Sequence, residues 1–262
     1  MFQELVLYKS CPLCDSSEFV TKLKANCTNY PHYKHPLSDT LVWLQCKSCG
    51  HVFREGYYTE EAFQILVSNI HKGQLAGEDF ERKRYVWAPV VEKMIFFRNE
   101  GIWLDVGFGD GALLLTAEEY GFRPVGIDIR QPNVDVLTKL GINVACMDFT
   151  KLDLKPRASV ISLCDVLEHM PFPLMGLAAA HRNLADDGFL LLSLPNIDSH
   201  LWKILDASQV NPYWMEMEHF HNFGRSSLFK CLEQTGFVPE KFGISYRYRA
   251  CMEVIARKRQ II

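Results

Sequence analysis

Leu104-Asp105-Val106-Gly107-Phe108-Gly109-Asp110-Gly111 is the stretch on which the reading of this chain turns. It continues the compact apolar run that begins at Ile102, and it opens a helical stretch over residues 112–120. Glycines at a strand-to-helix turn let the backbone approach a ligand closely, and a helix start offers free N–H donors. The string alone also suits a tight structural turn, or the loop of a nicotinamide-dinucleotide site. Two details point away from the dinucleotide. The third glycine follows the second by two residues rather than three. Asp105 precedes the first glycine by two residues, where a pyrophosphate is repelled and an amino-acid ammonium is attracted.

Working outward, strands and helices alternate. Strands are expected at 123–128, 143–147, 159–164 and 189–194. Helices are expected from about Pro132 to Gly141, from 174 to 184, and from Ser226 to Gln234. The turn Asp186-Asp187-Gly188 is expected to stop the second of these helices, 196–224 reads as loop-rich, and two β-like runs near 240–248 and 250–256 close the chain. Such alternation predicts an α/β fold with a parallel, doubly wound sheet and right-handed crossovers. Asp128 ends the second strand, where its two oxygens suit the hydroxyls of a ribose. Asp148-Phe149 follows the third strand, offering a carboxylate to an adenine amino group and an apolar ring beside the base. Any one of these aspartates can be a turn or helix cap. Acids at three successive strand ends, on the ligand-binding edge of an open sheet, form a cofactor pocket more readily than three unrelated caps.

From about residue 101 to 257 the chain resembles the class I S-adenosylmethionine-dependent methyltransferases of small-molecule type, such as those of ubiquinone biosynthesis and sugar modification. The resemblance lies in residues 104–111, Gly126-Ile127-Asp128, Asp148-Phe149, residues 161–170 (ISLCDVLEHM) and residues 187–196 (DGFLLLSLPN). It implies a Rossmann-like seven-stranded methyltransferase sheet whose last strand is antiparallel. It also implies that Asp105, Gly107, Phe108, Gly109 and Gly111 surround the methionine part of S-adenosyl-L-methionine. Asp128 and Ile129 would then bind the ribose side, Asp148 and Phe149 would frame adenine, and Cys164 and Asp165 would lie beside the sulfonium. Phe108 departs from the small or polar residue common in relatives and is expected to narrow the loop.

Residues 1–55 have a different texture. Cys11-Pro12-Leu13-Cys14 and Cys46-Lys47-Ser48-Cys49-Gly50-His51 are two Cys-x-x-Cys knuckles separated by 31 residues. Two such turns aim four thiolates at one tetrahedral point, which suits structural Zn²⁺. A redox pair is the alternative, although neither pair has a thioredoxin-like βαβ context. Cys27, Cys146, Cys164, Cys231 and Cys251 read as buried apolar residues rather than ligands. The expected organisation is a small N-terminal zinc-ribbon module over 1–55, a helical connector or lid over 56–100 with Pro89 in the first turn of its second helix, and the methyltransferase domain over 101–262. A ribbon of this kind also precedes the core in enzymes that C-methylate nucleotide-linked sugars, which the chain resembles in carrying a Glu-His segment at 213–223.

The 262 residues are 48% hydrophobic, enough for a sizeable core, and the formal net charge of −3 supplies no positive field for nucleic acid. Nothing at the start reads as a secretory signal and no apolar run of membrane-spanning length occurs, so nine cysteines point to thiols in a reducing, cytoplasmic setting. A small-molecule methyl acceptor is therefore expected, with no nucleic-acid partner and no membrane; the sequence sets no oligomeric state. Methyl transfer to oxygen or carbon needs a proton acceptor. His219 and His221, with Glu218 to orient a ring, follow the fifth strand, and His169 beside Glu168 follows the fourth. Each can instead be a packing or capping histidine, and Trp202, Tyr213, Trp214, Phe220 and Phe223 read as an acceptor wall or as plain core. Two other readings stay open: an RNA methyltransferase using the ribbon for recognition, and a non-catalytic cofactor-binding scaffold.

Overall fold

The computed structural model describes residues 2–67, 75–248 and 250–259. In chain order the elements are β1 (Leu5–Leu7), β2 (Phe19–Asn26), β3 (Thr40–Cys46), β4 (Val52–Arg54), β5 (Gly56–Tyr58), α1 (Glu60–Val67) and α2 (Phe80–Ile95). They continue as β6 (Ile102–Val106), α3 (Ala112–Glu119), β7 (Arg123–Asp128), α4 (Gln131–Lys139), β8 (Asn143–Cys146), β9 (Ala158–Cys164), α5 (Pro173–Asn183) and β10 (Leu184–Pro195). The last are α6 (His200–Ala207), β11 (His221–Asn222), α7 (Arg225–Gln234), β12 (Phe237–Ile244) and β13 (Cys251–Lys258). Backbone contacts divide the chain into two compact units: Met1–Ile70 with Glu168–Leu174 and Pro195–Leu228, and His71–Leu167 with Met175–Leu194 and Phe229–Ile262.

The second unit carries a seven-stranded sheet in the order β12-β13-β10-β9-β6-β7-β8. Strands β6, β7, β8, β9 and β10 pair in parallel, and β13 runs antiparallel to β12. This is the mostly parallel α/β sheet expected, with the first strand in the middle, so β6 and β7 deliver their carboxyl ends side by side. One core cluster joins Trp87, Val90, Val91 and Met94 of α2 to Trp103, Leu113, Val160 and Ile255. A second joins Phe108 to Leu114, Val134, Leu137 and Ile142. Phe108 therefore points under the glycine bend into the core, at 4% exposure, and does not narrow the loop. Its ring needs a site without a side chain on β7: a Cβ on Gly126 would lie 2.7 Å from Phe108 Cδ1, 2.6 Å from Leu114 Cδ1 and 2.9 Å from Val144 Cγ1. Gly126→Ala is expected to destabilise the protein by ~1–3 kcal/mol through overpacking. Urea denaturation followed by far-UV circular dichroism checks this.

Three sequence expectations are corrected in or beside this unit. Helix α2 runs straight through Pro89. The carbonyl that the missing N–H frees belongs to Tyr85, a residue 80% exposed, where water can replace the lost bond. Residues Asp186-Asp187-Gly188 do not form a turn between helix and strand; they belong to β10, as a bulge between Leu184, opposite Ala158, and Phe189, opposite Val160. Lys258 secures the bulge by donating to the Leu184 carbonyl (2.9 Å) and to Asp186 (3.0 Å). The segment 196–224 holds helix α6, whose first turn is capped by Ser199 accepting from Trp202 N (3.1 Å). Within 56–100, helices α1 and α2 follow the short strand β5, while 68–74 lies outside the described residues.

The first unit is built on a four-stranded sheet, β11-β4-β3-β2, and the pair β1-β5. Its core contains Cys27, Leu41, Tyr58, Leu66, Met217 and Phe220 in one cluster and Trp43, Trp202 and Trp214 in another. Trp202 stacks on Tyr213 at 5.0 Å, and Trp43 donates to the Trp214 carbonyl (2.9 Å). Trp202, Trp214, Phe220 and Phe223 are all buried, so these aromatics are core rather than an open acceptor wall. Arg54 is buried among them, donating to the Met217 carbonyl (3.1 Å) and lying over the Tyr58 ring. Among the described residues no helix is long and apolar enough to cross a membrane.

Candidate cofactor and acceptor chemistry

In the second unit the glycine bend leaves β6 with three left-handed residues, Gly107 (φ 65°), Gly109 (φ 59°) and Gly111 (φ 80°). Side chains disfavour that conformation, and at Gly107 a Cβ would also come within 2.7 Å of Val166. The bend is clamped from β7 and α4. Gly109 N donates to Asp128 Oδ2 (3.0 Å), and its carbonyl accepts from Asn133 Nδ2 (2.7 Å). Asp110 accepts from Ala112 N (2.9 Å) and pairs with Lys83 (3.0 Å), which anchors the start of α3.

Asp105 lies one residue before the end of β6, 4% exposed. Its Oδ1 accepts from Ser162 Oγ (2.5 Å), and Ser162 in turn accepts from Trp103 Nε1 (2.9 Å), so the hydroxyl proton is committed to the carboxylate. Burial pushes Asp105 up to about 7; Ser162 and the Arg247 guanidinium favour its anion, while Asp110 and Asp128 oppose it. A buried carboxylate with this balance is stabilised by an incoming ammonium. Asp128, 2% exposed, is the most heavily bonded acid of the set. Oδ1 accepts from Arg130 N (2.9 Å) and Nε (3.0 Å), and Oδ2 from Arg130 Nη2 (3.0 Å) as well as Gly109 N. Ile129 beside it is 58% exposed. Asp148, past the end of β8, is exposed and caps the short 3-10 turn that follows, accepting from Thr150 N (2.9 Å) and Oγ1 (2.8 Å). Phe149 is buried at 3% exposure. The pairing of β6 with β7 and β7 with β8 brings the three acids to successive strand ends of one sheet.

At the end of β9, Asp165 takes a left-handed turn (φ 56°) and donates its N–H to the Ser193 carbonyl (2.7 Å). Its Oδ2 pairs with Arg247 (2.6 Å), whose guanidinium lies 4.1 Å over the Trp87 ring. Cys164 is half-buried, and burial raises its thiol well above the ordinary range, so it is a neutral neighbour rather than a nucleophile. Cys27, Cys231 and Cys251 are buried as expected, whereas Cys146 is exposed.

The histidines and the knuckles belong to the first unit. Cys11, Cys14, Cys46 and Cys49 bring their sulfurs within 4.8 Å of one another, with 3.6 Å between Cys11 and Cys49 and 3.6 Å between Cys14 and Cys46. Both knuckles close alike: Asp15 N donates to Cys11 O (3.0 Å), Gly50 N donates to Cys46 O (3.0 Å), and Asp15 (φ 56°) and Gly50 (φ 75°) are left-handed. Burial opposes ionisation of Cys46, but the N–H groups of Cys49 and Ser48 hold its thiol at about 7.

His221 is locked. Its Nε2–H donates to the Met170 carbonyl (3.0 Å), so Nδ1 accepts from His51 Nε2 (3.1 Å), and burial pushes the ring down to about 4. Neither nitrogen is left for an acceptor, and the ring serves the β4–β11 pairing, where His221 lies opposite Phe53. His219 is buried, and burial lowers its basicity, but Glu216 more than offsets this through Oε2, 2.7 Å from Nε2, so the ring is raised above its usual range. His169 lies edge-on to it at 4.6 Å and donates Nδ1–H to the Glu218 carbonyl (3.0 Å). Glu218 does not orient a ring with its carboxylate, which accepts instead from the Tyr30 hydroxyl. The orienting acid is Glu216. It escaped the sequence reading because a Glu-His neighbour pair is easier to see than a Glu three residues away, just past a 3-10 turn. Ser162, Arg130, Asn133 and Arg247 also went unread: Ser162, Asn133 and Arg247 reach their partners from other elements, and Arg130 turns back onto Asp128 two residues before it.

With this geometry in view, the comparisons are specific. The model of a family described as "Methyltransferase domain" matches residues 80–241, more than half of the chain. The chain belongs to that family. No curated protein matches it in sequence. Among solved structures, the 1,6-didemethyltoxoflavin-N1-methyltransferase of Burkholderia thailandensis superposes with a TM-score of 0.58 at 18% identity, covering 82% of this chain and 98% of that one. A protein from Pyrococcus horikoshii superposes at 0.58 with 14% identity, covering 77% and 100%. The magnesium protoporphyrin IX methyltransferase of Synechocystis, solved with S-adenosylhomocysteine, does so at 0.55 with 16% identity, covering 73% and 89%. At such identities the likeness is one of fold. This methyltransferase thus has the class I, S-adenosylmethionine-dependent architecture.

Proposed function

We propose that this methyltransferase acts on oxygen or carbon of a small metabolite, an activated sugar among the candidates, and that its N-terminal cysteines hold structural zinc. S-adenosylmethionine supplies a methyl group activated on a sulfonium. In the transfer a bond forms from acceptor oxygen or carbon to that methyl, the carbon–sulfur bond breaks, and S-adenosylhomocysteine leaves with the electron pair. The acceptor proton needs a home, and the observation that carries the reading is the buried cluster of Glu168, His169 and His219 with Glu216 behind it. Asp105 receives the ammonium of the methionine part, Asp128 with Ile129 the ribose, and Asp148 with Phe149 the adenine; Cys164 and Asp165 lie toward the sulfonium. The net charge of −3 disfavours an RNA acceptor. A structural neighbour named for 1,6-didemethyltoxoflavin and solved with that compound bound supports a small acceptor.

For the cysteines, a tetrahedral thiolate site with bonds of about 2.3 Å has sulfur–sulfur edges of about 3.8 Å, and the two 3.6 Å separations fit it. Four thiolates in a reducing, cytoplasmic setting are the natural ligands of that ion. The acceptor class is tested by incubating the full chain with methyl-labelled S-adenosylmethionine and, separately, cellular metabolites below about 1 kDa or total RNA. Label in the small-molecule fraction is expected. Label confined to RNA, falling steeply with added salt, would overturn the reading.

A further inference from the structure

We propose that Glu168, His169 and His219 form a second metal site, distinct from the four-cysteine cluster, which takes a divalent first-row transition cation. One ligand atom from each of the three lies within 4.8 Å of the others. They come from two places in the first unit, the 3-10 turn Leu167–His169 and the segment before β11, and Phe220 N donating to the Glu168 carbonyl (2.9 Å) ties these together.

Histidines that hold a metal through one ring nitrogen commonly have the other bound to a carboxylate or a backbone carbonyl, which fixes the tautomer and aims the ring. Both arrangements occur here. His219 has Nε2 on the Glu216 carboxylate (2.7 Å), and His169 has Nδ1 on the Glu218 carbonyl (3.0 Å). His219 Nδ1 is fully buried and makes no hydrogen bond, an arrangement that is costly unless something meets it. The third member, Glu168, is a carboxylate on a residue only 1% exposed, and Glu216 adds a second acid at the back of His219. Buried anionic charge of this kind favours a cation over any neutral occupant.

Two imidazoles and one carboxylate suit zinc, manganese, iron or cobalt, and three protein ligands leave coordination positions for an oxygen from solvent or acceptor. A cation lowers the pKa of an oxygen bound to it, so the cluster would hold an acceptor hydroxyl as its anion. That use rests on the proposed function; occupancy by the cation does not.

The test is made on the full chain after incubation with excess zinc chloride, or manganese chloride in a parallel sample, then desalting and metal analysis by mass spectrometry. About two zinc ions per chain are expected. His219→Ala should remove about one and leave the ion of the four-cysteine cluster in place. Glu168→Gln should act as His219→Ala does, and circular dichroism confirms that each variant is folded. Glu216→Gln keeps all three ligands and should weaken zinc binding at this site by ~10–100-fold in competition with a chromophoric chelator. About one metal ion per chain in the native protein with either metal, unchanged in His219→Ala, overturns the inference. A calorimetric titration with S-adenosylhomocysteine on the same samples separates the claims: saturable heat with a single metal ion leaves the methyltransferase standing and removes only the second site.

Discussion

Replacing Asp105 with asparagine is expected to weaken S-adenosylhomocysteine binding by about 100-fold or more while making the protein more stable at pH 8. The two effects have one cause. Asp105 is buried, and its pKa is raised from an ordinary 3.8 to about 7 mainly by that burial. A carboxyl group with a raised folded pKa binds its proton more tightly in the native state. Its charge therefore costs stability as pH climbs from about 4 to about 7, and the whole cost is present at pH 8. Asparagine keeps an oxygen for Ser162 and carries no charge. A gain of ~2 kcal/mol, or about 5 °C in Tm, is expected at pH 8, vanishing near pH 4 where the native aspartate is already neutral. The loss is in function: without the anion an ammonium finds no counter-charge, and affinity should fall by about 100-fold or more. In the native protein the same pairing makes S-adenosylhomocysteine affinity decline as pH drops through about 7. Calorimetry and thermal melts across pH 4–8 check both halves. Cofactor binding that survives Asp105→Asn would remove the aspartate from the site.

The second large effect belongs to the cysteine cluster. Cys46→Ser should lower the zinc content by about one ion per chain and remove stabilisation of ~10 kcal/mol or more from the first unit, the range found for structural zinc sites. Cys46 is the last residue of β3, and Trp43 on the same strand is fully buried with its indole N–H on the Trp214 carbonyl. Fraying β3 from its metal end should therefore shift Trp fluorescence to the red and open the segment 19–54 to proteolysis. An unchanged emission spectrum and full zinc content in Cys46→Ser would show that the four sulfurs are neighbours without being ligands.

The same contrast separates what was readable in the chain from what was not. Strand β7 could be read to the residue because four apolar or small residues, Pro124 to Ile127, end in Asp128 and a helix with Pro132 follows at once. Strand β10 could not, since its bulge depends on Lys258, which arrives from another strand 72 positions away. Pro89 looked like a helix start because local rules place proline there; the helix continues through it because Trp87, Val90, Val91 and Met94 have a core to bury against. Among the histidines, His221 and His219 are two residues apart and look alike as letters. Their surroundings differ: His221 lies between His51 and the Met170 carbonyl, while His219 is held by Glu216.

By itself the sequence determined the class of the second unit, because strand and helix periodicities are local and the acids at strand ends need only the order of the strands to become neighbours. It also determined the knuckles, whose turn geometry is contained in a few residues each. Tertiary structure alone decided that Phe108 turns inward, that Asp128 and Asn133 clamp the bend, and that Glu168, His169 and His219 meet. Those outcomes depend on side chains brought together across some tens of residues, and no short-range pattern encodes which of several similar groups will be buried against which.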